Sequence, residues 1–229
     1  MEEKALPRNE LLKMVFTRVV LFFPAMALFF FLPAGTFAYW QAWVYLAILF
    51  IPMAFVLNYL LRNNPKLLER RMRMREKEQA QKKIVKFSFI FFILAYIVPG
   101  FDFRWGWSHV PLVLVVTSEV LILFGYYLVF LVFKENTYTS RIIEVEQGQK
   151  VTSSGPYAIV RHPMYIGAIL MYLFSPLALG SWWAFILGAM IIPTLVFRIL
   201  NEEQILQRDL PGYIEYMQKV KYRLLPGIW

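Results

Sequence analysis

The chain is 229 residues long, with 59% hydrophobic, 18% aromatic and only 17% charged residues, and a net charge of +9. A water-soluble domain carries about 25% charged residues, so this chain has too little polar surface to cover its apolar side chains in water; lipid is the solvent it fits, and its length suits one compact domain. Cysteine is absent and His109 and His162 are the two histidines, which excludes a disulfide framework, a thiolate nucleophile, a cysteine-ligated metal and a site built on several histidines.

The mixed-charge stretch Met1 to Arg18 is followed by no small-residue cleavage site, so the first apolar run is expected to stay in the membrane. About 20 apolar residues cross a bilayer core as a helix. Val19 to Phe37, interrupted by Pro24 and Pro33, is the first predicted span, and Trp40 to Leu61, with Pro52 inside it, is the second. Membrane helices tolerate such prolines where neighbours re-satisfy the freed carbonyl. Phe87 to Phe101 is shorter and is expected to be tilted or partly interfacial, whereas Val110 to Phe133 is a clear fourth span. Met164 to Phe197 is a 34-residue apolar stretch broken by Pro176 and Gly180-Ser181, which suits a helical hairpin turning near Leu177 to Ser181. The expected fold is all-α: a polytopic integral membrane protein of about six transmembrane helices, five if the hairpin is absent. Residues 1–133 are expected to form a four-span membrane region and 134–229 a catalytic region, within one structural domain.

The polar segments 1–18, 62–86, 134–163 and 198–229 hold 4, 10, 4 and 5 of the 24 lysines and arginines, leaving Arg104 alone elsewhere. With six spans these segments share one side, which the positive-inside rule makes the cytoplasm. The ten-cation run Arg62 to Lys86 reads first as a topology determinant and a contact for anionic headgroups of membrane lipids. Its cations sit beside spans rather than on a soluble module, so nucleic acid is not the expected partner.

Two cytoplasmic segments are unlike plain connectors. In Val151 to Tyr165, Gly155-Pro156 marks a turn, and Pro163 biases His162 away from helical geometry and can start the next helix. The loop would hold Tyr157, Arg161, His162 and Tyr165 at the mouth of the last hairpin, although aromatic and basic residues at that depth also serve as interfacial anchors. In Arg198 to Glu203 the helical period puts Arg198 and Glu202 on one face, four residues apart; alone that is a surface ion pair where a span leaves the bilayer, and opposite a His-Pro loop it reads as a polar pocket. Glu119, inside the fourth span, is either structural, being protonated or internally hydrogen-bonded, or functional. His109 with Trp105 and Trp107 reads as an aromatic belt at the other face.

Together these segments carry a resemblance. Gly155-Pro-Tyr-x-x-Val-Arg-His-Pro-x-Tyr165, a two-span hairpin, Glu202-Glu203, Tyr213-x-x-Tyr216 and Arg223-x-x-Pro226 resemble the isoprenylcysteine carboxyl methyltransferase family, and phospholipid N-methyltransferases share a related pattern. The resemblance covers roughly residues 134–229. It implies an S-adenosylmethionine-dependent methyltransferase in which the strand-like segment Gln149, Lys150, Val151 and Thr152 lines the cofactor, followed by Tyr157 and the tetrapeptide His162, Pro163, Met164, Tyr165. It implies a carboxylate to the cofactor from Glu202 or Glu203, a methyl-acceptor contact from Arg198, and a site asparagine at Asn136. Thr139 stands where the animal prenylcysteine enzymes carry a histidine, so the lipophilic acceptor is open among a prenylated peptide, a free isoprenoid acid, a phospholipid amine and a quinone-like lipid.

These residue types suit methyl transfer, an in-line displacement from a sulfonium in which positioning and electrostatics do most of the work. A carboxylate can bind the cofactor's cationic amine or ribose hydroxyls, and an arginine can hold an acceptor carboxylate with paired donors. A carboxylate acceptor is ionised at neutral pH and needs no general base; an amine acceptor must lose a proton, for which His162 has the suitable unperturbed pKa. Membrane sterol-type reductases, which bind NADPH, carry a similar His-Pro and Glu pattern and are the alternative enzyme class. A channel or transporter would explain the spans and Glu119 but not the polar loop.

Overall fold

The computed structural model describes residues 7–72, 79–140 and 145–229; the side chains of 79–87 fall outside that description, as does most of the basic run expected at Arg62–Lys86. The described residues form helices α1 (Arg8–Ala34), α2 (Trp40–Asn63), α3 (Pro65–Met72), α4 (Gln79–Trp105), α5 (Leu112–Glu135), α6 (Pro163–Ala178), α7 (Trp182–Ala189), α8 (Ile191–Asp209) and α9 (Tyr213–Lys219), and no strand among them. The all-α expectation holds.

Five of these units are long and apolar enough to cross a membrane: α1, α2, Ser88–Trp105 of α4, α5, and α7 continued by α8 as Trp182–Asp209. Helix α6 has 16 residues, a length of about 24 Å against a hydrocarbon core of about 30 Å. The last hairpin forms, turning at Leu179–Ser181: Gly180 takes a left-handed φ of 79°, and the Ser181 hydroxyl accepts from the Ala184 amide at 3.1 Å to start α7. The third span corrects the sequence expectation. It is longer than Phe87–Phe101, because Asp102 does not end the helix: Asp102 is 1% exposed and accepts from the Ser108 amide at 2.8 Å and the Ser181 hydroxyl at 2.5 Å. A satisfied carboxylate can sit inside an apolar helix, and α4 runs on to Trp105. Nor is the segment Gln149–Thr152 a strand; it is irregular chain leaving a turn at Gly148, whose φ is 76°.

The helices align so that α1 and α6 begin, and α2, α5 and α8 end, at one end of the bundle, here called the basic end. Leu11 and Val15 of α1, Leu60 of α2, Leu67 and Leu68 of α3 and Val132 and Phe133 of α5 form one buried cluster there. At the far end the Tyr39 hydroxyl donates to the Leu179 carbonyl, joining the α1–α2 turn to the hairpin turn. Helices α5 and α6 approach closely at a pair of glycines. A Cβ on Gly125 would lie 2.8 Å from the Gly167 carbonyl oxygen, and one on Gly167 would lie 2.7 Å from that of Gly125. Small residues let two membrane helices meet backbone to backbone, and this pair fixes α6, with the residues at its start, against the end of α5.

Candidate active site

The end of α5 supplies the first wall. Asn136 closes the helix by donating its amide to the Val132 carbonyl at 2.9 Å. Its side-chain oxygen accepts from the Tyr138 amide at 2.9 Å, and its Nδ2 donates to the Tyr157 hydroxyl at 3.2 Å. Thr139 folds back to donate to the Asn136 carbonyl at 2.7 Å. Burial pushes the Tyr157 pKa up to about 12, with the Asn136 and Thr139 side chains opposing the rise, so this phenol stays protonated at neutral pH. Tyr157 rides on a 3-10 turn, Gly155–Ala158. Gly155 has φ +55°, and a Cβ there would lie 2.6 Å from the Glu135 side chain; the turn needs glycine both for its backbone and for its seat against α5.

Beyond that turn lies a buried ionic knot centred on Glu203, which is 2% exposed. Its Oε1 accepts from Arg161 Nε at 2.7 Å and lies 3.2 Å from His162 Nε2, while Oε2 accepts from Arg223 Nε at 2.8 Å. Arg161 also donates to the Val220 and Lys221 carbonyls, both at 2.8 Å. The Arg161 and His162 amides donate to the Tyr222 and Arg223 carbonyls at 2.9 and 3.0 Å. A buried charge is tolerable only when paired and hydrogen-bonded; here one carboxylate ties the His-Pro loop to α8 and to the C-terminal segment.

Glu202, next on the same helix, faces elsewhere and is half-buried. It accepts from the Tyr165 hydroxyl at 2.5 Å, and that hydroxyl accepts from Arg198 Nε at 3.1 Å. Tyr165 is 6% exposed and stands on the first turn of α6, which Pro163 opens. The arginine and glutamate expected on one helical face are thus bridged by a phenol from the facing helix. Two further polar atoms, Asn201 Nδ2 on α8 and the Tyr213 hydroxyl on α9, are buried with no partner among the described residues. Burial raises the Tyr213 pKa first, and the Glu203 and Glu202 charges raise it further.

The other expected residues distribute unevenly. Met164 and Tyr157 pack on the basic-end cluster, and Val151 packs with Leu210, Tyr213 and Tyr216 of the α8–α9 corner. The Gln149 side chain accepts from the Glu146 amide at 3.0 Å, Thr152 is half-buried, and Lys150 is exposed. Glu119 has a buried Oε1 with no partner among the described residues and sits 17 residues before Asn136, about 25 Å along α5 and apart from this site. An apolar groove lined by Val98, Trp107, Trp183, Ile186 and Leu187 holds none of the site's polar residues. Sequence reasoning gave no role to Arg223 or Asn201. The Arg223-x-x-Pro226 motif was visible, but nothing in a sequence says that an arginine twenty residues on returns to Glu203.

The phospholipid methyltransferase family model matches residues 113–210. The matched region takes in Asn136, the Gly155–Tyr165 loop, the hairpin, Arg198 and Glu202-Glu203, and it indicates a methyltransferase. Comparison with curated proteins and with solved structures found no match.

Proposed function

We propose that this chain transfers a methyl group from S-adenosylmethionine to a lipophilic acceptor at the basic end of its helical bundle. The observation that carries the reading is the Tyr165 bridge, which joins a half-buried carboxylate, Glu202, to an arginine, Arg198; on the same helix and the next, Asn201 Nδ2 and the Tyr213 hydroxyl are buried with no partner among the described residues. Buried polar groups are normally paired, so Asn201 Nδ2 and the Tyr213 hydroxyl fit a ligand that carries several donors and acceptors, as the amino-acid and ribose parts of this cofactor do. Bound there, the cofactor supplies an activated methyl group on a sulfonium. Glu202 holds the cationic amine or the ribose hydroxyls by charge-assisted hydrogen bonds. Tyr157, Met164, Tyr165 and the segment Gln149, Lys150, Val151, Thr152 line the rest. Glu203, both of whose oxygens are engaged, keeps His162 and Pro163 in place as a wall, and Asn136 orients Tyr157. The matched family region spans these positions and favours methyl transfer over nicotinamide chemistry.

Arg198 sits one turn before Glu202 and faces the acceptor. A planar guanidinium recognises a carboxylate through two parallel donors, which supports a carboxyl O-methyltransferase like those acting on isoprenylcysteines. The description of the matched family favours a second reading, methylation of a phospholipid amine. Transfer of label from methyl-labelled S-adenosylmethionine to total membrane lipids and to isoprenoid acids tests both. For a carboxylate acceptor, Arg198→Ala lowers turnover about a hundred-fold while S-adenosylhomocysteine still binds, and Arg198→Lys rescues poorly. A mild effect of Arg198→Ala with labelled phospholipid as product establishes the amine reading. Equal loss of binding and turnover makes Arg198 a structural partner of Glu202 and removes it from acceptor recognition.

The basic end faces the cytoplasm in this account, since it gathers the Lys- and Arg-rich segments. A single cysteine introduced at position 150 is then labelled by an impermeant thiol reagent only after the membrane is opened; labelling of intact cells contradicts the orientation.

A further inference from the structure

The matched family region begins at residue 113, yet the N-terminal half of the chain reaches the site through α3. Leu67 and Leu68 are 0% and 1% exposed and pack among α1, α2 and α5, which turns the polar side of this short helix toward the loops that follow α5. Arg18 of α1 holds the end of α3 by donating to the Met72 carbonyl at 2.7 Å. From that footing Arg70 forms a two-pronged pair with Glu146, Nε to Oε1 at 2.6 Å and Nη2 to Oε2 at 2.5 Å. Its Nη1 donates to the Thr137 carbonyl at 2.6 Å, and its guanidinium lies 5.0 Å from the centre of the Tyr138 ring. Arg71 donates to the Ser140 carbonyl at 3.0 Å and contacts the Met164 sulfur at 3.9 Å, with its guanidinium 5.2 Å from the Phe133 ring centre.

Glu146 is itself fixed to Gln149. The Glu146 amide donates to Gln149 Oε1, and the Gln149 amide donates to the Glu146 carbonyl, each at 3.0 Å. An unbroken chain of contacts thus runs from α3 through Glu146 to the first residue of Gln149–Thr152, and a second runs through Arg71 to Met164. Exposed ion pairs are worth little. This one is different in kind: the side chains of Arg70 and Glu146 are 15% and 24% exposed, and the fork uses the planar geometry that lysine lacks.

We infer that α3 is a clamp on the cofactor side of the site, with Arg70 and Arg71 as positioning residues that hold Gln149–Thr152 and Met164 in their binding geometry. The inference rests on the methyltransferase reading and adds to it a function for part of the basic run. A topology determinant needs only positive charge. A clamp needs the guanidinium fork.

The test is titration of S-adenosylhomocysteine into the purified full-length protein in phospholipid nanodiscs, for the wild type, Arg70→Lys, Glu146→Gln and the exchanged pair Arg70→Glu with Glu146→Arg. Both single variants keep side-chain size, and Arg70→Lys keeps the charge that sets topology; unchanged thermal unfolding checks the fold. The clamp predicts a Kd about ten-fold weaker in each single variant, a matching rise in the KM for S-adenosylmethionine with kcat altered less than about two-fold, and partial recovery in the exchanged pair. Single variants that bind like the wild type overturn the clamp and leave the methyltransferase reading intact. A wild type that fails to bind S-adenosylhomocysteine overturns that reading, and the clamp with it.

Discussion

Each end of the bundle closes around a buried carboxylate, and the two are closed by different chemistry. At the far end Asp102 is held by neutral donors, the Ser108 amide and hydroxyl and the Ser181 hydroxyl, and the Ser108 hydroxyl in turn accepts from the Trp182 amide at 3.2 Å. The knot joins two turns. At the basic end Glu203 is held by two arginines and a histidine, and the residue before it, Glu202, is half-buried and bridged through Tyr165 to Arg198. Both arrangements satisfy a carboxylate in an apolar setting. The second has a further carboxylate, Glu202, and an arginine, Arg198, beside it, while each end holds a buried polar atom without a partner among the described residues, Gln41 Oε1 near Gly180 at the far end and Asn201 Nδ2 on α8.

The difference makes predictions of graded size. The largest is for Glu203→Ala, which strands Arg161 in a buried setting and leaves the half-buried Arg223 without its carboxylate. Removing one partner of a buried ion pair costs about 3–5 kcal/mol, and denaturant unfolding in detergent should report a loss of that order; a loss below 1 kcal/mol would show that the knot does not hold the loop. Glu202→Gln is next and of another kind. It should weaken S-adenosylhomocysteine binding by about 1.5–3 kcal/mol, ten- to a hundred-fold, with little change in unfolding. The smallest effect belongs to Asp102→Ala, about 1–3 kcal/mol of stability from hydroxyl donors left unsatisfied, with cofactor affinity unchanged. If Asp102→Ala altered binding as much as Glu202→Gln does, the two ends would not be separable.

Much of this was legible in the sequence, for physical reasons that differ by region. Lipid-soluble helices announce themselves by composition, and Pro176 with Gly180-Ser181 marked the hairpin turn because a helix interior disfavours such a cluster. The third span was drawn to end at Phe101, one residue before Asp102, whereas α4 runs on to Trp105; the serines that satisfy Asp102 come from positions 108 and 181, and the one at 181 is too distant in sequence to be foreseen. The site residues stood out as a pattern, but not their division of labour. Glu202 and Glu203 are neighbours whose side chains leave α8 about 100° apart, so one is locked and the other half-buried, and only the fold says which. Residues 149–152 read as strand-like, and are irregular chain fixed from outside, at Glu146 by Arg70 and at Val151 by the α8–α9 corner. Arg70 and Arg71 were read as charge alone, since a run of cations reveals a net field and not which guanidinium finds a fork.

The central claim is that the basic end binds S-adenosylmethionine through the wall that carries Glu202. Isothermal titration of the purified wild-type protein in nanodiscs with S-adenosylhomocysteine, and separately with NADPH, tests it most directly. The account predicts saturable binding of S-adenosylhomocysteine at one site per chain, lost or weakened at least ten-fold in Glu202→Gln, and no binding of NADPH. Saturable NADPH binding with none of S-adenosylhomocysteine would contradict it and turn the same pocket into that of a reductase.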